Sequence, residues 1–169
     1  MLFDPPEPPV APLFELRVDV DKPQAWERGM PTRRGKFTSI VTPPKTRARE
    51  DLIRQRAYVA KRVGGFDLPL TGPLLALVVS VFPRIKAMPD RKNPGRQWRA
   101  VGDDVDNLAK LVLDALNKVA YLDDAQIVDL HSQSVYAAEG EHAATEVYLW
   151  RAPLYPPDMR HPATIPRGA

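Results

Sequence analysis

The sequence predicts a small α+β domain, a mixed β-sheet with two main helices, and three observations predict it. Phe14 to Val20 alternates apolar and charged residues, the mark of a strand with one buried face. Leu74 to Phe82 is continuous, Val-rich and bounded by Pro73 and Pro83, as a central strand buried on both faces would be. Leu108, Leu111, Val112, Ala115, Leu116 and Val119 recur at the helical period and make one apolar stripe.

The remaining elements follow in chain order. The start of the chain, with Pro5, Pro6, Pro8, Pro9 and Pro12, reads as an extended arm over residues 1–12, and 152–169 reads as a proline-rich tail. Between them, 13–151 is expected to form the single domain. After the first strand, Gly29, Pro31 and Gly35 predict a loop, and Lys36 to Thr42 predicts a second strand that stops at Pro43-Pro44. Thr46 is placed to cap a helix running to about Arg62, stopped by Gly64-Gly65. Residues 84 to 103 read as a long basic loop, a length that is usually functional or disordered. The striped helix opens with Asp106 or Asn107 as its cap and ends by Tyr121. Gln126 to Tyr136 and Thr145 to Trp150 then read as two strands joined through the Gly140 region.

Composition excludes several classes. The 169 residues contain no cysteine, so disulfides, thiolate metal sites and a cysteine nucleophile are ruled out. No apolar run approaches the roughly 18 residues that span a bilayer, and no basic start followed by an apolar stretch suggests export, which points to the cytoplasm. The net charge is only +3, but it is segregated. Lys22 to Arg62 holds twelve basic and three acidic residues, and Arg84 to Arg99 six basic residues and Asp90. Asp103 to Glu146 reverses the sign, with ten acidic residues against Lys110 and Lys118. Basic blocks attract a polyanion, whereas an acidic cluster meets phosphate only through a bridging cation.

Gly102-Asp103-Asp104-Val105-Asp106-Asn107-Leu108-Ala109-Lys110 concentrates carboxylates at a helix mouth, with Lys110 one turn after Asp106 on the same face. If the approach is extended, Asp104 and Asp106 point the same way, about 7 Å apart, a spacing suited to magnesium and its oxygen ligands. Asp123-Asp124 brings a further pair. Each feature alone has a structural use, as a cap, a dipole partner or a solvated turn. The surplus is what stands out, because one cap needs one Asp and crowded like charges repel without a cation. His131, His142 and His161 have no metal-ligand spacing.

The run Asp104-Val105-Asp106-Asn107-Leu108-Ala109-Lys110, continued by Leu111-Val112-Leu113-Asp114-Ala115-Leu116-Asn117 and then Tyr121-Leu122-Asp123-Asp124-Ala125-Gln126-Ile127-Val128, resembles the signature of the RusA family of Holliday junction resolvases. The shared pattern is D-x-D-N-x-x-K-x-x-x-D-A-L followed by D-D-x-Q-[IV]. The resemblance implies a homodimeric, magnesium-dependent endodeoxyribonuclease, with manganese able to substitute, that cuts four-way DNA junctions symmetrically in recombination and repair and is often carried by phages or prophages. It assigns Asp104, Asp106 and Asp124 as catalytic metal ligands, Lys110 as the active-site lysine and Asp123 as an outer-sphere partner. Asp103 receives no role.

On this reading Arg33, Arg34, Lys36, Lys45, Arg47, Arg49, Arg91, Lys92, Arg96 and Arg99 become candidates for phosphate contacts that position junction arms. Trp98 is a candidate for stacking at the crossover, or else a packing anchor for its loop. A reach argument adds a question. A helix from Asn107 to Val119 is about 20 Å long, and residues 120–124 return at most roughly 16 Å, so Asp124 barely regains the helix mouth within one chain: either the last turn is unwound, or Asp124 approaches the Asp104/Asp106 pair of a partner subunit. The competing readings are a flap- or branch-specific nuclease, a non-catalytic junction-binding protein and an acidic protein-interaction patch.

Overall fold

The computed structural model describes residues 11–34, 37–67 and 69–153. The proline-rich arm and tail lie almost wholly outside these residues, as does Lys36. Five strands form one mixed sheet in the order β1-β7-β4-β6-β5. They are β1 Phe14–Asp19, β4 Leu74–Phe82, β5 Gln97–Trp98, β6 Ile127–Tyr136 and β7 Ala144–Arg151. Only the β4–β6 pair is parallel. A parallel neighbour requires a crossover, and here the crossover contains the helix α2, Val105–Leu116.

That crossover positions the site. In a parallel strand–helix–strand unit the helix runs back against its strands. The start of α2 therefore lies towards the Phe82 end of β4, and the segment before β6 lies at the Leu74 end, where Ile127 pairs with Leu74. Ser132, midway along β6, donates its hydroxyl to the Val105 carbonyl at 3.0 Å and fixes the helix start over the sheet.

Both helices cover one face of the sheet. Leu111, Val112, Ala115 and Leu116 are all buried, as the stripe predicts, against Phe14, Leu16 and Val18 of β1, Leu74, Ala76 and Val78 of β4 and Val147 and Leu149 of β7, while Leu108 is buried against Phe82, Met88 and Tyr136. Each large side chain removed from water contributes about 1.5–3 kcal/mol. The other face carries a smaller cluster of Val79, Val81, Val135, Ala137 and Ala144.

Four elements depart from the expectation. Met30–Arg34, read as loop, is a strand, β2, paired antiparallel with β3, Phe37–Val41, in a separate two-stranded sheet. Pro31 lacks a ladder donor but is tolerated in a ribbon whose outer edges are unpaired. The first long helix, α1, spans Pro44–Gly64, so Thr46 is not its cap. Pro43 occupies that position and Pro44 opens the helix with φ already set. Gly65, at φ +65°, ends it in the left-handed conformation. Helix α2 begins after Asp104 rather than at Asp106 or Asn107, and closes at Leu116. The basic loop contains the two-residue strand β5.

Candidate nuclease site

Asp104 stands at the N-cap of α2 in extended backbone, φ −67° and ψ 137°, yet its side chain caps nothing. Val105 is already helical, so Asp104 and Asp106 flank a helix start and not the strand-like step assumed from sequence. Asp106 lies in the first turn, where the positive end of the helix favours a negative charge. Both residues are exposed, and neither forms an ion pair among the described residues.

Lys110 follows one turn later and is held by a residue that sequence reasoning missed. Its Nζ lies 4.7 Å from the centroid of the Trp26 ring, a cation–π arrangement. The Trp26 N–H in turn donates to the Asn107 carbonyl at 2.9 Å, tying the loop after β1 to the first turn of α2. A lone aromatic in a polar loop carries no periodic signal, which is why it escaped notice.

Asp124 sits elsewhere. After α2 the chain turns through Lys118, at φ +66°, and folds back so that Tyr121 is fully buried and donates its hydroxyl to the Leu113 carbonyl at 2.6 Å. Burial, then the charges of Asp124 and Asp114, raises the Tyr121 pKa. Burial also raises the Asp114 pKa; Lys110 lowers it and Asp124 raises it further. Asp124 therefore lies beside the last turns of α2, at the end remote from Asp104 and Asp106. Among the described residues no three His, Asp or Glu side chains converge to hold one metal ion.

The Asp123-Asp124 pair divides its labour. Asp123 accepts from the Ala125 N–H at 3.0 Å and caps a short 3₁₀ turn over Asp124–Gln126. That bond, followed by Asp124 and Lys118, lowers the Asp123 pKa. Gln126 completes the box: its Oε1 accepts from the Leu122 and Asp123 N–H groups, and its Nε2 donates to the Leu70 and Gly72 carbonyls. The conspicuous Asp-Asp-x-Gln run is thus largely a device for presenting Asp124, which remains exposed and forms no ion pair among the described residues. Exposed carboxylate oxygens without cationic partners suit a hard divalent cation.

The expected phosphate contacts fall into groups. Lys45, Arg47, Arg91 and Lys92 are exposed. Arg49 is half-buried and donates to the Lys22 carbonyl at 3.3 Å. Arg33 and Arg34 lie in β2 and only their backbone is described. Arg96 is already engaged, on the sheet face opposite the helices, where it binds Glu141 and Glu146. Arg99 is also engaged: its side chain is only 8% exposed, stacks 3.7 Å above the Phe82 ring and lies 3.6 Å from Asp103. Gly102, at φ +85°, leaves the space it needs, because a Cβ there would meet the Arg99 guanidinium at 2.1 Å. The Arg99 side chain packs beneath the Asp103-Asp104 loop rather than facing solvent. Trp98 is 58% exposed, so it does not anchor its loop by burial.

No curated relative matches the chain. The family model described as Endodeoxyribonuclease RusA matches residues 22–148, a span containing the β2–β3 ribbon, both helices, and the carboxylates at either end of α2. The chain belongs to the RusA family, and is accordingly a DNA-cutting hydrolase of the class that resolves Holliday junctions.

Proposed function

We propose that the protein is a magnesium-dependent homodimer that cuts four-way DNA junctions in recombination and repair, with each active centre built from two chains. The observation that carries this reading is the separation of the acids. Asp104 and Asp106 are presented at the start of α2, whereas Asp124 lies beside Asp114, about 12 Å of helix further on from Asp106. A second copy related by a two-fold axis places each end beside its opposite, and gives two equivalent centres for two symmetric cuts.

In this arrangement Asp104 and Asp106 of one chain and Asp124 of the other supply oxygen ligands, and Asp123 stays behind as the cap that aims Asp124. When bound, magnesium would supply Lewis-acid activation of the nucleophile and charge stabilisation at the leaving 3′-oxygen. Lys110, steadied on the Trp26 ring, offers a fixed positive charge to the phosphate. Lys45, Arg47, Arg91 and Lys92 hold the arms without reading bases.

Complementation tests the reading. Asp106→Asn and Asp124→Asn homodimers are each expected to leave an end-labelled four-way junction intact in magnesium. Mixed heterodimers should regain one good centre, from Asp106 of one chain and Asp124 of the other, and nick one strand. Wild type should give paired symmetric nicks with magnesium and none without it. Inactive heterodimers would overturn the composite centre. Faster cutting of a flap than of a junction would overturn the substrate, and binding without products across metals would overturn catalysis.

A further inference from the structure

A pocket of about 350 Å³ adjoins the Asp103-Asp104 loop, and the recognition motif does not touch it. Lys22, Gln24 and Glu27 from the loop after β1, Lys45 and Arg49 from the first turns of α1, and Asp103 line it. Four features give it a ligand class. Lys45 and Arg49 are i, i+4 on one face of α1, and Lys22 comes from a different segment, so three cations converge from two elements. Glu27 and Asp103 oppose these three cations, and Asp103 is partly offset by Arg99 at 3.6 Å, so the balance is positive by about one charge.

The start of α1 has no side-chain cap and no acidic residue in its first turn, so the positive end of a 21-residue helix is uncompensated there. Finally, the Gln24 Nε2 is buried with no hydrogen-bond partner. A buried donor left unpaired is costly, and turning the Gln24 amide towards an acceptor in the pocket would relieve that cost. Among the described residues, no aromatic ring lines the pocket to stack a base.

We infer that the pocket binds an internal backbone phosphate of the strand being cut, close to the scissile one, through Lys22, Lys45 and the Gln24 amide. Arg49 holds the Lys22 segment in place through the Lys22 carbonyl. Because Asp103 forms one wall, a phosphate seated here sets the register of the strand over Asp104 and Asp106. The inference rests on the nuclease reading above, and deepens it by naming a second point of attachment on the substrate.

Single methylphosphonate linkages, which remove one phosphate charge at a time, can be walked along a four-way junction on either side of the cut. Binding is read in EDTA and cleavage in magnesium, for wild type and for Lys22→Gln. One internal position is expected to weaken wild-type binding about threefold to tenfold, and the same linkage should cost Lys22→Gln less than about twofold. The slope of log affinity against log salt should flatten by about 1 in the variant. Gln24→Ala is a second variant, expected to show the same loss of coupling should Lys22→Gln fold poorly. Uncoupled linkages and an unchanged slope, with wild-type cleavage intact, would overturn the pocket alone. A wild-type protein that neither binds nor cuts the junction would overturn the pocket and the nuclease reading together.

Discussion

The two faces of the sheet treat carboxylates in opposite ways. On the face away from the helices, Glu146 is 5% exposed and bound by both Arg17 and Arg96, while Glu141 receives the same two arginines and the Ala138 N–H. On the helix side Asp104, Asp106 and Asp124 are exposed, and none pairs with a cation among the described residues. A carboxylate taken from water must be matched by cations or hydrogen bonds, or the fold fails. One left in water with like-charged neighbours keeps its oxygens available. The first set ties β1, the basic loop and β7 together, and the second is free to take a cation.

The contrast is broken most sharply at Asp106. Asp106→Asn removes a ligand oxygen and a charge from the exposed set, and cleavage should fall on the order of 10³-fold. Its melting temperature should barely move. The lost dipole interaction and the relieved repulsion with Asp104 oppose each other, and surface changes of this kind stay within about 0.5 kcal/mol. Junction nicking and thermal melting of the same preparation check both halves. A large fall in stability would show that Asp106 belongs with the structural set.

Glu146→Ala should behave in the reverse way. It removes the more buried of the two carboxylates that Arg17 and Arg96 share and leaves them Glu141, and, because both guanidinium groups are partly exposed, about 2–3 kcal/mol is expected instead of the full cost of breaking a buried pair. Urea unfolding measures it. Cleavage by the folded fraction should be unchanged, since the Arg17–Glu146 contact lies across the sheet from α2.

How much of this was legible beforehand follows from the range of the signals. β1, β4 and α2 announce themselves because burial writes a period into neighbouring residues, and α2 matches its stripe from Leu108 to Leu116. The β2 strand was hidden by Pro31 between two glycines, and Thr46 looked like a cap because a Pro-Pro start leaves no polar cap to see. Within the site, Asp104, Asp106, Lys110 and Asp124 were readable as a motif. Their distribution over both ends of α2 was only suggested by reach, because it depends on where Tyr121 tucks against Leu113. Arg96 and Arg99 were counted as free cations although Glu141, Glu146 and Phe82, which engage them, come from distant strands and turns. Charge is readable in sequence, but pairing across the fold is not.

The smallest expected effect concerns acid. Hydrogen bonding to Arg96, with help from the Ala138 N–H and Arg17, lowers the Glu141 pKa from 4.5 to about 2. A depressed carboxylate adds stability that is complete above its unfolded pKa and is lost as pH falls through the folded value. The window here is pH 4.5 down to 2. Water screens this partly exposed pair, so the contribution is about 1 kcal/mol instead of the full value of the shift. Stability measured across that window should decline less steeply in Glu141→Gln than in wild type, and the two should run parallel above pH 5. An acid response that persisted unchanged in Glu141→Gln would show that the Arg96 contact does not carry it.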